Sequence, residues 1–111
     1  MGMLPLLEAI SELGLKELAG STVVDKIIGK AAALLISYFK AEEAFAGTIS
    51  EGAIRVLRKN GVRYQAERTV KNILSKDGRG VCPFEESVSN VEDPEEGYKV
   101  IVRNTREAFL H

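Results

Sequence analysis

The chain has 111 residues, which fits one domain able to bury roughly 65% of the surface its unfolded form exposes. A net charge of −1 gives no electrostatic case for nucleic acid or an anionic membrane, and the absence of Trp argues against a base-stacking surface. One cysteine, Cys82, and one histidine, His111, exclude both an internal disulfide and a zinc site built from four Cys/His ligands.

Taken in order, the chain opens with leucines and isoleucine at Leu4, Leu6, Leu7, Ile10 and Leu13, separated by Glu8 and Glu12. This spacing predicts an amphipathic helix over Met3–Leu13, with Pro5 in the first turn and Gly14 at its end. Leu15, Leu18 and Ala19 suit a further short turn. The acidic interruptions and the lack of a basic start do not match a signal peptide, so a cytoplasmic location is expected.

Thr22 to Phe39 is the longest apolar run, and the rest of the chain is arranged about it. Its spacing predicts one long buried helix, with Thr22 as N-cap and Asp25 completing a capping box. Lys26 and Lys30 then fall one turn apart on a shared face, and Gly29 lies inside the helix, where it admits a close backbone or ligand. Lys30 interrupts the run, which is too short to span a bilayer.

Ala44–Ile49 is a short apolar run that predicts an interior strand. Ser50 is a good N-cap for a second helix, Glu51 suits its positive end, and Asn60-Gly61 stops it. Val62–Glu67 alternates as a half-exposed strand, Thr69–Leu74 predicts a helical turn, and Asp77–Gly80 a loop. Val81–Val88 holds a short third helix. Asp93-Pro94 is a strong N-terminal signal for a last helix reaching about Leu110, with Tyr98, Ile101, Val102, Thr105 and Phe109 on one face. Helix, strand, helix, strand in this order predicts parallel pairing with right-handed crossovers.

In open α/β sheets a ligand sits beyond the carboxyl ends of the strands, where helix N-termini attract anions. The residues expected to gather there are Asp25, Lys26, Gly29, Lys30, Ser50, Glu51 and the loop carrying Cys82 and Glu85. Each also has a structural reading. The lysines can snorkel off a buried helix, Asp25 can be a cap, and Glu51 and Glu85 can complement helix dipoles. Cys82 can be an inert buried thiol.

Four blocks stand in sequence between about Leu4 and Tyr98: DKIIGKAAALL, ISEGA, DGRGVCPFE and VEDPEEGY. Together they resemble a prokaryotic family of unknown function within the cytidine deaminase-like superfamily. The resemblance implies a single domain over 1–111, a three-layer α/β/α sandwich with a mixed, mostly parallel sheet. It also implies that the Thr22–Phe39 helix takes the place of the deaminase zinc-histidine helix, and that Ser50-Glu51 stands where the paired cysteines lie. Zinc deaminases need H-x-E or C-x-E followed by P-C-x-x-C, and neither motif is present, so no metal and no cofactor are expected. The resemblance also implies an N-terminal hairpin for which this chain has no segment, and a missing hairpin exposes a sheet edge suited to homodimer formation. Three readings follow. One is a module binding a small anionic or nucleotide-like metabolite through Asp25, Lys26, Gly29, Lys30 and Ser50. The second is a metal-independent enzyme using Glu51 and Cys82, and the third is a homodimeric interaction module.

Overall fold

The computed structural model describes residues 3–73 and 83–110, with side chains described over 5–73 and 84–105. The elements are α1 (Met3–Leu18), β1 (Thr22–Ile28), α2 (Lys30–Tyr38), β2 (Glu43–Ser50), α3 (Glu51–Lys59), β3 (Arg63–Val70), α4 (Pro83–Ser87) and α5 (Pro94–Leu110). The Thr22–Phe39 stretch is therefore a strand followed by a helix, and not one long helix. Every residue of β1 other than Asp25 and Lys26 is β-branched, and such side chains lose rotamer freedom in a helix but fit a pleated surface. Helix begins only where Ala and Leu take over, after Gly29 in extended conformation at φ −98°. Thr22 is consequently no N-cap, Asp25 belongs to no capping box, and Gly29 lies at the junction of the two elements.

The sheet has the order β1-β2-β3, and both pairings are parallel. Among the described residues no antiparallel strand joins it, so the sheet is not mixed. The β2–β3 pairing carries β3 on to Val70 opposite Ser50, which places Thr69 in the strand instead of a helical turn. The segment expected as the Asp77–Gly80 loop, together with Leu74 and Cys82, lies outside the described residues. The other boundaries match their signals: Ser50 Oγ accepts from the Ala53 N–H at 3.1 Å, and Asp93 Oδ2 from the Glu96 N–H at 3.0 Å. At Gly14, φ is +80° and the α1 helix breaks, which divides it into the two pieces its sequence suggests.

Helix α2 is the centre of the molecule. Lys30 through Ser37 are all buried, leaving this helix no solvent face along its first eight residues. It lies beside α3 over one face of the sheet, and α5 and α1 pack on it in turn. Ile28, Leu34, Leu35, Ile36, Ile49 and Leu57 are among the fully buried side chains of the core. Leu34 faces α5 at Gly97, where an added Cβ would lie 2.9 Å from Leu34 Cδ1, so only glycine allows this approach. One turn further along α2, Tyr38 stacks on Tyr98 of α5 with ring centroids 4.5 Å apart. No helix among the described residues is long and apolar enough to cross a membrane.

Leu34→Ala should lower the unfolding free energy by about 2–5 kcal/mol, because the cavity it leaves is walled by two helices that cannot both collapse into it. Urea denaturation followed by circular dichroism measures this, and a loss below about 1 kcal/mol would contradict the packing described.

Candidate functional site

Parallel pairing puts the carboxyl ends of all three strands at one end of the sheet. From Ile28 the chain turns through Gly29 into α2, and from Ser50 it enters α3 directly. The first turns of these helices thus meet beyond the same sheet end. A cavity of about 510 Å³ opens there, lined by Lys30 and Ser50 at the two helix starts, Glu51 and Arg55 of α3, Lys71 past the end of β3, and Glu85 of α4.

The start of α2 is already occupied by a carboxylate. Glu85 Oε1 accepts from the Lys30 N–H at 2.6 Å, and Oε2 from the Ala31 N–H at 2.7 Å. Gly29 offers no capping side chain, and Glu85, fifty-five residues beyond Lys30, serves instead. Gly29 is the condition for this contact, since a Cβ there would overlap the Glu85 carboxylate and crowd Ile73. Burial pushes the Glu85 carboxyl above its ordinary range; the two backbone N–H groups and Lys30 pull it down, and burial prevails.

The amine of Lys30 is buried and tethered. Its Nζ donates to the Ser89 carbonyl at 3.0 Å and lies 3.7 Å from Glu92 Oε2. Glu92 Oε1 also holds Arg55 at 3.2 Å, so one carboxylate links the first turn of α2 with α3. The start of α3 differs from that of α2. Ser50 Oγ takes the Ala53 N–H, while the geometry of a helix start leaves the Glu51 and Gly52 N–H groups with no intrahelical acceptor. Arg55 and Lys71 are exposed beside them.

Of the residues singled out from the sequence, Lys30, Ser50 and Glu51 line this cavity, and Gly29 lies behind Glu85. Asp25 and Lys26 do not. Both are in β1, where Lys26 is exposed and Asp25 Oδ1 accepts from the Lys26 N–H at 2.7 Å. Lys26 and Lys30 share no face, because a strand ends and a helix begins between them. Cys82 lies outside the described residues. Arg55, Lys71 and Glu92 were not anticipated: Arg55 reads locally as a solvent-face residue, Lys71 follows a strand whose end is set by pairing with β2, and Glu92 reads as part of an acidic run. The described residues contain no cluster of three His, Cys, Asp or Glu side chains suited to a metal ion.

The family model for a domain of unknown function, DUF1893, matches residues 1–104. The chain belongs to that family. A crystal structure of a DUF1893 protein from Thermotoga maritima superimposes with a TM-score of 0.80 at 29% identity, over 94% of this chain and 69% of that one. No curated protein matches. Family membership thus supports the α/β fold and supplies no activity.

Glu85 ties stability to pH. Its carboxyl is raised in the folded state, so its protonated form favours folding, and that contribution is fully present below the ordinary glutamate range and lost as pH rises through the raised value. Glu85→Gln should flatten this decline in the difference between wild-type and variant stability curves. Urea titrations across pH 3–8, roughly the span flanking carboxyl ionisation, measure it; parallel curves would contradict the assignment. Gly29→Ala should expel Glu85 and destabilise the protein by more than the few tenths of a kcal/mol typical of an exposed site.

Proposed function

We propose that the cavity at the carboxyl end of the sheet binds a small anionic metabolite, with a phosphate or carboxylate seated at the start of α3. The supporting observation is the contrast between the two helix starts. The N–H groups of Lys30 and Ala31 are taken by Glu85, whereas Glu51 and Gly52, whose N–H groups have no intrahelical acceptor, line a cavity that also holds Arg55 and Lys71. Helix N-termini attract anions through these free donors and the helix dipole. Lys30 adds positive potential from below, fixed in place by Ser89 and Glu92. A volume of about 510 Å³ accommodates a ligand of nucleotide size.

In the same reading the fold is deaminase-like. Two helices whose first turns meet at one cavity are where that superfamily carries its zinc ligands. Here Lys30 stands at one helix start and Ser50-Glu51 at the other. Neither is a zinc-ligand set, since H-x-E and P-C-x-x-C are absent from the sequence. The site therefore serves anion recognition without zinc-dependent deamination.

A thermal-shift series with inorganic phosphate and nucleoside monophosphates tests the proposal. A ligand at one hundred times its Kd adds about 2.7 kcal/mol, which raises Tm on the order of 10 °C for a domain this size. Arg55→Ala and Lys71→Ala, both at exposed positions, should weaken that shift while leaving the unliganded Tm within about 2 °C. Absence of any shift with these ligands at millimolar concentration would refute the proposal.

A further inference from the structure

Three basic and three acidic side chains among the described residues line the cavity: Lys30, Arg55 and Lys71 against Glu51, Glu85 and Glu86. Two of the bases are partly committed. The Lys30 amine donates to the Ser89 carbonyl and lies beside Glu92, and one terminal nitrogen of Arg55 is held by the same carboxylate. A guanidinium has five N–H donors, so the rest of the Arg55 fork remains for a ligand. On the acidic side, Glu85 and Glu86 both come from the first turn of α4. The cavity thus offers little uncommitted positive charge, and one wall of it is acidic.

The backbone donors are divided in the same way. Both helix starts reach the cavity, at Lys30 and at Ser50. At the α3 start the Glu51 and Gly52 N–H groups have no intrahelical acceptor. At the α2 start Glu85 uses both oxygens of its carboxylate, one for the Lys30 N–H at 2.6 Å and one for the Ala31 N–H at 2.7 Å. A carboxylate or phosphate of a ligand would bond a helix start through the same kind of donors. Gly29 admits Glu85 there, and Ile73, which also lines the cavity, crowds the same point. The α2 start therefore keeps neither these donors nor this space for a ligand.

We propose, on the strength of the anion site described above, that Glu85 is its specificity-determining residue: a tethered carboxylate that fills the second anion seat, so that the cavity takes ligands with one phosphate or carboxylate on a neutral body and rejects di- and triphosphates. A single anionic group engages the α3 donors, Arg55 and Lys71. A second group attached to the first meets like charge at Glu85 and Glu86 and finds the α2 donors taken. Unpaired or opposed charge is a general means of turning away the wrong ligand. Burial raises the Glu85 carboxyl above its ordinary range, but its hold on the α2 start is a matter of hydrogen bonds and space as well as charge.

Equilibrium dialysis with adenosine mono-, di- and triphosphate, without divalent cations, tests this, and circular dichroism confirms that each variant is folded. The wild-type chain should bind the monophosphate at least about tenfold more tightly than the other two, the scale of one charge-assisted hydrogen bond. Glu85→Ala releases the Lys30 and Ala31 N–H groups, and the ratio of the monophosphate and diphosphate affinities should fall to within about threefold, since the second phosphate recovers those bonds. If Glu85→Ala does not fold, Glu85→Gln takes its place. The amide keeps one acceptor, turns the other into a donor and removes the charge, so the ratio should fall at least about threefold. A wild-type chain that binds the diphosphate as tightly as the monophosphate overturns the proposal and leaves the anion site standing. So does a ratio unchanged in the folded variant. A chain that binds none of the three, nor inorganic phosphate, overturns the anion site and this selectivity together.

Discussion

The carboxylate of Glu85 on the first turn of α2 is the contact on which the described site depends. It satisfies two backbone donors that would otherwise lie part-buried without acceptors, a condition costing about 1–3 kcal/mol for each group. It fixes α4 against α2 and so places one wall of the cavity. Gly29 makes the contact sterically feasible, and the raised carboxyl of Glu85 records its energetic tension. A charge placed among apolar neighbours is tolerated here because helix donors and a lysine surround it.

A second carboxylate, Glu92, organises the opposite wall. It lies between Lys30 and Arg55 and so connects the two helices whose starts form the cavity floor. Lys30 is thereby a structural residue at its amine and an electrostatic one toward the cavity. A buried ammonium without such partners would be strongly disfavoured, so the Ser89 carbonyl and Glu92 explain why a lysine is tolerated at a position 7% exposed. The site is mixed in sign, with Glu51, Glu85 and Glu86 lining it beside Lys30, Arg55 and Lys71.

Much of this architecture can be read from local chemistry. Ser50, Asn60-Gly61 and Asp93-Pro94 mark element ends through side chains and backbone preferences that act within a few residues, and the structure follows them. The Thr22–Phe39 stretch reads as one helix from its pattern because one glycine, and no polar turn, separates strand from helix, so the hydrophobic pattern runs unbroken across the junction. Its β-branched first half carried the correct signal. The end of β3 was illegible for another reason: Arg68 and Thr69 are exposed, and pairing with Thr48 and Ile49 of β2 holds them in the sheet. The Glu85 contact joins residues fifty-five positions apart, and no spacing rule reaches that far. Lys30, Ser50 and Glu51 could nonetheless be grouped in advance, because strand-to-helix turns in a parallel sheet all open at one end.

That same polarity gives the molecule a second, chemically quiet pole. The turns through Gly20, Lys40-Ala41 and Asn60-Gly61 all lie where strands begin; the first two are joined by a backbone hydrogen bond from the Gly20 N–H to the Lys40 carbonyl at 2.8 Å, and Asn60-Gly61 bonds back onto the end of α3. Evolution or an engineer can lengthen the chain at Asn60-Gly61, or append a reporter there, without disturbing a single group that faces the cavity.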